Sequence, residues 1–295
     1  MTTHIPVMTA EVIQQLRPER GGLFVDCTVG LGGHARALLE AGATRIIGLD
    51  RDQEALARAR ETLAPWADRV ELVHADYRSI EQVLDSRQHA AVDGTLADLG
   101  VSSMQFEAEG RGFSFQRDEP LDMRMDRTTG ETAADLIASA SEEDLANAIF
   151  AYGEERFSRR IAGALVGARR EAPVNTTGRL AAIVRRAIPR RGPWRIDPAT
   201  RTFQALRIWV NRELEGLDRF LVASARRLRA SARLVVITFH SLEDRIVKHT
   251  LRALEHGGEM GIRVLTKRPL VPDDEEVRRN PRARSAKLRA AERVV

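Results

Sequence analysis

The first hundred residues alternate short apolar runs with stretches whose apolar positions recur every three or four residues. The apolar runs are as short as strands and end in polar residues, as is typical of strands buried on both faces. They predict four strands, at Leu23–Asp26, Arg45–Asp50, Val70–His74 and Val92–Asp98, with helices at about 34–41, 53–63 and 78–85. Alternation at this spacing predicts βαβ units and a parallel sheet.

The pattern changes after Ser103, because residues 110–200 contain no convincing strand. Their periodicity predicts helices at 133–137, 142–150, 158–168 and 178–187, with prolines in the connections. A long helix over 202–228, a buried strand over 233–238, a helix over 241–255 and a strand over 262–266 follow. We therefore predict one α/β domain with an all-helical insertion, divided as 1–109, 110–200 and 201–295.

The charge of the 295-residue chain is distributed unevenly, although its net value is only +4. Residues 156–207 carry thirteen arginines against Glu171 and Asp197, and residues 278–295 carry six arginines and Lys287 against Glu292. Two basic zones on an otherwise acidic chain favour a polyanionic partner such as nucleic acid. A GC-rich genome explains arginine in place of lysine, but it does not explain the local excess of positive charge.

Other bulk features exclude several classes of protein. Cys27 is the single cysteine, which excludes an intramolecular disulfide and a cysteine-cluster zinc site. No apolar run reaches the length of a membrane span, and the N-terminus resembles no secretory signal. We therefore expect a cytoplasmic protein with no membrane association.

Polar residues stand at the ends of successive predicted strands, where open α/β sheets bind ligands. A glycine turn, Gly30–Gly33, follows the first strand, Asp50 ends the second, Asp76 and Tyr77 follow the third, and Asp98 ends the fourth. An acid 20 residues beyond the turn suits ribose hydroxyls, and Asp76 and Tyr77 suit an adenine amino group and ring. The glycine spacing also satisfies a dinucleotide fingerprint, so NAD remains an alternative.

Longer blocks of the chain resemble one family, the RsmH (MraW) family of bacterial small-subunit ribosomal RNA methyltransferases. The blocks follow in order from about His4 to Arg293 and are Gly30–His34, Asp98–Gln105, Arg111–Phe115, Pro120–Asp126, Tyr152–Arg156, Ser158–Ala162, Pro198–Ile208, Phe239–Arg245 and Asn280–Arg289. Two departures are minor: Tyr77 replaces a common phenylalanine, and Gln53 replaces a proline at a helix start.

The resemblance implies a class I (Rossmann-like) S-adenosylmethionine-dependent methyltransferase sheet with an inserted helical domain for substrate recognition. It implies methylation of the exocyclic N4 of one cytidine in 16S rRNA, near the decoding centre. By matching motifs, the residues that contact S-adenosyl-L-methionine are Gly32, Gly33, His34, Asp50, Tyr77, Asp98 and Gln105. His34 has an equal alternative as a capping residue at the surface.

The chemistry of the amino group suggests a role for Asp98. The cytosine N4 lone pair is delocalised into the ring, so acceptors for its N–H bonds would favour attack on the methyl group. Asp98, with Ser102 and nearby carbonyls, is a candidate for this catalytic role. An equal alternative is that Asp98 binds only the cofactor. Cys27 lies under the glycine turn, where we expect a packed small residue. C5 methylation needs a cysteine nucleophile, so this position favours methylation of the amino group.

Residues outside the glycine turn are candidates for RNA contact. Arg201 and an arginine cluster at 185–195 suit phosphates, and Trp194 suits either stacking on a base or packing. His240 and Ser241 suit the target base, or Ser241 is simply an N-cap with Asp244 at N3. The tail Arg278–Arg289 suits a further RNA-facing strip or a solvated tail.

Two other functions stay open at this point: a non-catalytic RNA-binding assembly factor and a nicotinamide-dependent oxidoreductase. The sequence gives no ground for a metal. The apolar stripe of the predicted 202–228 helix suits a core or a homodimer interface equally.

Overall fold

The computed structural model describes residues 6–102, 105–106, 108–189, 196–258 and 260–295. Seven strands form a single sheet in the order β3-β2-β1-β4-β5-β7-β6. The first five are parallel, and β7 runs antiparallel to both of its neighbours. The strands are β1 (Leu23–Asp26), β2 (Arg45–Asp50), β3 (Val70–His74), β4 (Val92–Asp98), β5 (Leu228–Thr238), β6 (Ile262–Val264) and β7 (Lys287–Arg293).

The helices of the described chain surround the sheet or form a separate cluster. They are α1 (Thr9–Leu16), α2 (Gly33–Glu40), α3 (Gln53–Leu63), α4 (Ile80–Ser86), α5 (Ala133–Ser139), α6 (Glu142–Gly153), α7 (Ser158–Glu171), α8 (Thr177–Ala187), α9 (Ala199–Asn211), α10 (Leu217–Arg226), α11 (Ser241–Gly257) and α12 (Asp274–Arg279). None of these helices has the length and apolar character needed to cross a membrane.

Helices cover both faces of the sheet, which explains why its inner strands are mostly apolar. Every residue of β1 is buried. One face of the sheet packs against α4, α10 and α11, and the other against α1, α2 and α3. The four N-terminal strands have the predicted bounds, because continuous apolar runs are needed wherever both faces are covered.

The chain folds into two compact units, one of residues 1–100 with 214–295 and one of residues 101–213. The first contains the sheet, and the second contains α5 to α9 around its own apolar core. These bounds differ from the predicted divisions after residues 109 and 200. The difference at the second boundary arises because α9 packs on α6 and α8, where Phe203 and Leu206 are buried in the helical core.

The single long helix predicted over residues 202–228 is wrong. Helix α9 ends at Asn211, because Arg212 takes a left-handed conformation with φ of 49°. Helix α10 begins after Gly216, which is also left-handed, with φ of 70°. The apolar stripe is therefore divided between two cores, with Leu206 in the helical unit and Leu221 under the sheet. The stripe thus serves packing within one chain.

The end of the chain corrects the prediction of an RNA-facing strip over Arg278–Arg289. Residues 287–293 form β7, which lies between β5 and β6 in the sheet. Leu288 is fully buried, and the Arg289 Nε donates to Asp244 Oδ1 at 2.6 Å. The exposed arginines of this zone are confined to α12 and the 3₁₀ turn Pro281–Ser285 that follows it.

We predict that Leu288→Ala lowers the free energy of unfolding by about 2–4 kcal/mol, because it empties a fully buried site in a central strand. Urea unfolding followed by circular dichroism measures the change. The matched control is Arg284→Ala, an exposed residue in the adjacent turn, with an effect within about 0.5 kcal/mol. Equal, small effects of the two substitutions would show that the C-terminal segment is dispensable to the sheet.

Candidate active site

The carboxyl ends of β1, β2 and β4 place three acids along one edge of the sheet. Asp26, Asp50 and Asp98 are the last residues of these strands. The segment after β1 turns sharply at Gly30 and Gly32, whose φ angles of 51° and 84° favour glycine. A Cβ on Gly32 would lie 3.0 Å from Leu63 Cγ. The turn therefore brings bare backbone to the edge of the sheet.

Asp50 holds the glycine turn in place. Its Oδ2 accepts a hydrogen bond from the Gly30 amide at 2.8 Å, and its Oδ1 accepts one from the Asp52 amide at 2.9 Å. Burial raises the pKa of Asp50 to about 6, although both of these hydrogen bonds favour the carboxylate. Each oxygen keeps a lone pair for a further donor such as a ribose hydroxyl.

His34 lies in the first turn of α2 and is only 6% exposed, so its interpretation as a surface cap is wrong. Its Nε2 is 3.4 Å from Asp98 Oδ2. Thr28 connects the two strand ends, because its amide donates to Asp26 Oδ1 and its Oγ1 accepts from the Asp98 amide. Asp26, His34 and Asp98 therefore form one group of charges, with Asp26 and His34 buried and Asp98 partly exposed, which we call the strand-end cluster.

The electrostatics at this edge favour the protonated forms of Asp26 and His34. Burial raises the pKa of Asp26 to about 7, even though the nearby charge of His34 opposes that rise. Burial disfavours the charged form of His34, but the Asp98 carboxylate beside it, with the charges of Asp26 and Glu276, raises its pKa above the ordinary value. Among described groups, Asp26 Oδ2 and Asp98 Oδ1 are buried without a hydrogen-bond partner.

Tyr77 lies at the end of β3 as predicted, but its neighbour Asp76 does not fit the role given to it. The Tyr77 ring is buried edge-to-face against Phe220, with ring centroids 4.7 Å apart. Asp76 instead holds Arg78, through contacts of 2.7 and 2.6 Å, and lies 3.5 Å from Arg51. Binding of an adenine amino group by Asp76 would compete with these arginines.

Ser102 and Gln105, which belong to the helical unit, bind each other. The Ser102 amide donates to Gln105 Oε1 at 3.0 Å, and the Gln105 amide donates to Ser102 Oγ at 3.3 Å. The side chain of Gln105 is buried and stabilises a local turn. Both residues thus have a local structural role, which is compatible with the predicted ones.

Arg201 is half exposed in the helical unit, where its Nη1 lies 3.8 Å from Glu155 Oε2. It lines a cavity of about 420 Å³ together with Arg156 and Phe157. In the arginine cluster, Arg185 is neutralised by Asp197 at 2.7 Å. Trp194 and the arginines at 190, 191 and 195 lie outside the described residues.

The turn after β5 corrects the predicted helix cap. His240, and not Ser241, is the N-cap of α11, and its Nδ1 accepts from the Glu243 amide at 3.4 Å. The N3 residue is therefore Glu243, whose Oε2 accepts from the Phe239 amide at 2.9 Å. Asp244, predicted at N3, pairs with Arg289 instead. Ser241 is exposed.

Sequence reasoning overlooked Asp26, Thr28 and Glu276. Asp26 carried a usable signal, because an acid that ends a wholly apolar strand directly before a glycine turn must be buried or bound. Glu276 carried no sequence signal, because only the fold brings it near His34. Its Oε1 accepts a hydrogen bond from the Met8 amide at 2.5 Å. Its charge acts on His34 from a distance of more than 200 residues in sequence.

The sheet order, the glycine turn and the acids at successive strand ends define a class I methyltransferase that uses S-adenosylmethionine. The residues present fit this cationic cofactor. The turn offers bare backbone, Asp50 offers lone pairs to a ribose, and the strand-end cluster offers two buried carboxylate oxygens that lack partners among the described groups.

The chain belongs to the MraW methylase family, whose profile matches residues 1–294. A relative from Geotalea uraniireducens, named ribosomal RNA small subunit methyltransferase H, is 50% identical over 99% of this chain and 98% of its own length. A relative of the same name from Bradyrhizobium diazoefficiens is 50% identical over 99% of this chain and 92% of its own length. Membership of a methylase family contradicts the nicotinamide alternative.

We predict that Asp26→Asn stabilises the protein at neutral and alkaline pH. The pKa of Asp26 rises from 3.8 to about 7 on folding, so its ionisation lowers the free energy of unfolding as pH rises through that window. The variant should match the wild type at about pH 4 and exceed it by roughly 4 kcal/mol at about pH 8. Urea unfolding across this pH range measures the difference.

The control for this experiment is Asp218→Asn, an exposed acid in the first turn of α10. It should not reproduce the gain in stability that Asp26→Asn shows at alkaline pH. If Asp26→Asn lost stability with rising pH as steeply as the wild type, Asp26 would not be the titrating group.

Proposed function

We propose that this protein transfers a methyl group from S-adenosylmethionine to the exocyclic N4 of a cytidine in 16S rRNA, near the decoding centre. The observation that carries the proposal is the match of the whole chain to relatives named ribosomal RNA small subunit methyltransferase H. The substrate is 16S rRNA or the small ribosomal subunit, and the location is therefore the cytoplasm.

Cofactor binding is assigned to the carboxyl edge of the sheet, and the family resemblance adds Gln105. Gly32, Gly33 and His34 contact the cofactor from the glycine turn, and Asp50 holds its ribose. Tyr77 lies beside the adenine, and its burial against Phe220 supports a fixed wall of that pocket. Asp98 and Gln105 complete the set that the family resemblance implies.

The sulfonium methyl group is already electrophilic, so the protein must mainly position it and prepare the amino group. We assign the second task to Asp98. Its Oδ1 is buried and has no partner among the described groups, so it can accept an N–H bond of the amino group. That hydrogen bond would localise the N4 lone pair toward the methyl group, and Asp98 is then a general base.

RNA binding is assigned to the helical unit and to residues near β5. Arg159 and Arg160 are exposed in the first turn of α7, and Arg201 lines the cavity beside Phe157. Exposed guanidinium groups of this kind suit phosphates. Ser102, Trp194, His240 and Ser241 remain assigned to the target nucleotide or its neighbours.

We predict that purified protein with labelled S-adenosylmethionine methylates small ribosomal subunits that lack the modification. Nuclease digestion and mass spectrometry should place the label on the N4 of cytidine. Label at C5, or on a different base, would contradict the proposed chemistry. No label on any RNA would favour the alternative, a non-catalytic assembly factor.

Asp98→Asn tests the assignment of the general base. Its single-turnover rate should fall by about 100-fold or more, while affinity for S-adenosylmethionine should change by less than about tenfold. Quenched single-turnover assays measure the rate, and calorimetry measures the affinity separately. Lost affinity with an unchanged rate would assign Asp98 to the cofactor alone.

We predict that the double substitution Arg159→Gln with Arg160→Gln weakens RNA binding and its dependence on salt. Each lost phosphate contact should reduce the slope of log affinity against log salt by about 0.7–0.9. The control is Arg58→Gln, an exposed arginine on α3 that pairs with Glu61. Unchanged slopes for the α7 variant would remove this helix from the RNA-binding surface.

A further inference from the structure

Asp26 is buried among charges, and the proposed cofactor and base assignments give it no role. It is completely buried, its Oδ1 accepts from the Thr28 amide at 3.2 Å, and its Oδ2 has no partner within the described structure. A buried carboxylate is costly unless it is protonated or compensated. Its charge acts on His34, and His34 lies against Asp98.

We propose that His34 receives, through Asp98, the proton that leaves the methylated amino group, and that Asp26 stabilises the resulting imidazolium. This inference rests on the proposed function, because it needs Asp98 beside the reacting amino group. It adds a destination for the proton and a positioning role for Asp26. Asp98 remains the residue that touches the substrate.

The reaction must dispose of one proton. The N4 lone pair forms a bond to the methyl carbon, the carbon–sulfur bond breaks, and its electron pair goes to sulfur. The amino nitrogen is then cationic and gives one proton to the Asp98 carboxylate. Asp98 passes that proton to the Nε2 of His34, 3.4 Å from Oδ2, and becomes a carboxylate again.

This route keeps the charge of the buried site constant. Before the reaction the positive charge lies on the sulfonium, and afterwards it lies on the imidazolium. Moving a charge within a buried site avoids creating a new unbalanced one, which a low-dielectric environment penalises. A sulfonium nearby opposes protonation of His34, so the imidazole becomes a stronger base when the sulfonium is consumed.

The surroundings of His34 are suited to hold this proton. Three carboxyl groups act on the ring: Asp98 from β4, Asp26 from β1 and Glu276 from α12. Asp26 in turn experiences the charges of His34, Asp98 and Asp50. No described group hydrogen-bonds to either ring nitrogen with good geometry, so both are available to carry a proton. Asp98 is 23% exposed, which gives the proton a route back to water.

The first test measures the titration of His34 itself by NMR and does not depend on turnover. The ring signals of His34 are identified by their loss in His34→Gln. We expect the pKa of His34 to be lower with S-adenosylmethionine bound than with S-adenosylhomocysteine bound, because only the former carries the sulfonium charge. We also expect Asp26→Asn to lower the pKa of His34 in the cofactor-free protein. A His34 pKa that responds to neither change would overturn the proposal.

The second test measures single-turnover methyl transfer between about pH 5.5 and 8.5. The wild-type rate should rise with pH as His34 loses its proton. In Asp26→Asn this rise should move to lower pH, and the plateau rate should fall by about tenfold, with cofactor affinity within about threefold. His249→Gln, an exposed histidine on α11, is the matched control and should leave the profile unchanged.

The outcomes separate this inference from the proposed function. A wild type that methylates N4, with an identical pH profile in Asp26→Asn, would contradict the inference and leave the function intact. A wild type that methylates no RNA would contradict the function, and the NMR titration would still report how His34 responds to Asp26. His34→Gln is not needed for the rate comparison, so loss of its cofactor binding would not weaken the test.

Discussion

The constraint on which this site depends is the placement of three carboxylates at one edge of a parallel sheet. Asp26, Asp50 and Asp98 end their strands there because a parallel sheet brings its carboxyl ends together. The charges of Asp98 and Asp50 oppose the ionisation of Asp26. Backbone amides compensate the charge of Asp50, and an imidazole lies beside the carboxylate of Asp98. The glycine turn therefore has a structural role besides leaving space for a ligand, because its Gly30 amide donates to the Asp50 carboxylate.

The same constraint explains the position of α2. Its first turn brings His34 into contact with Asp98, so a residue that in isolation suits a surface cap becomes buried. Gly33 allows the N-terminal segment to approach, since a Cβ there would lie 2.9 Å from Pro6 Cγ. The Met8 amide of that segment binds Glu276. This edge of the sheet is thus connected to the N-terminal segment and to α12, which lie far from each other in sequence.

The sequence predicted the features that depend on local pattern. Apolar runs located β1 to β4, and their polar ends located the acids and Tyr77. Features that depend on tertiary partners were missed. Strand β7 carries the charged residues Arg289 and Glu292 within a buried run, and Arg289 is buried only because Asp244 neutralises it. The break after α9 lies at Arg212, and no sequence pattern predicts its left-handed conformation.

Local charge sums overestimated the surface available to RNA for the same reason. In the helical unit Arg185 is held by Asp197, and Arg207 by Glu213. A guanidinium that already has a carboxylate partner gains less from a phosphate than an exposed one, because the first pair must be broken. The proposed phosphate-binding surface therefore rests on exposed arginines such as those at the start of α7, and not on the total positive charge of a segment.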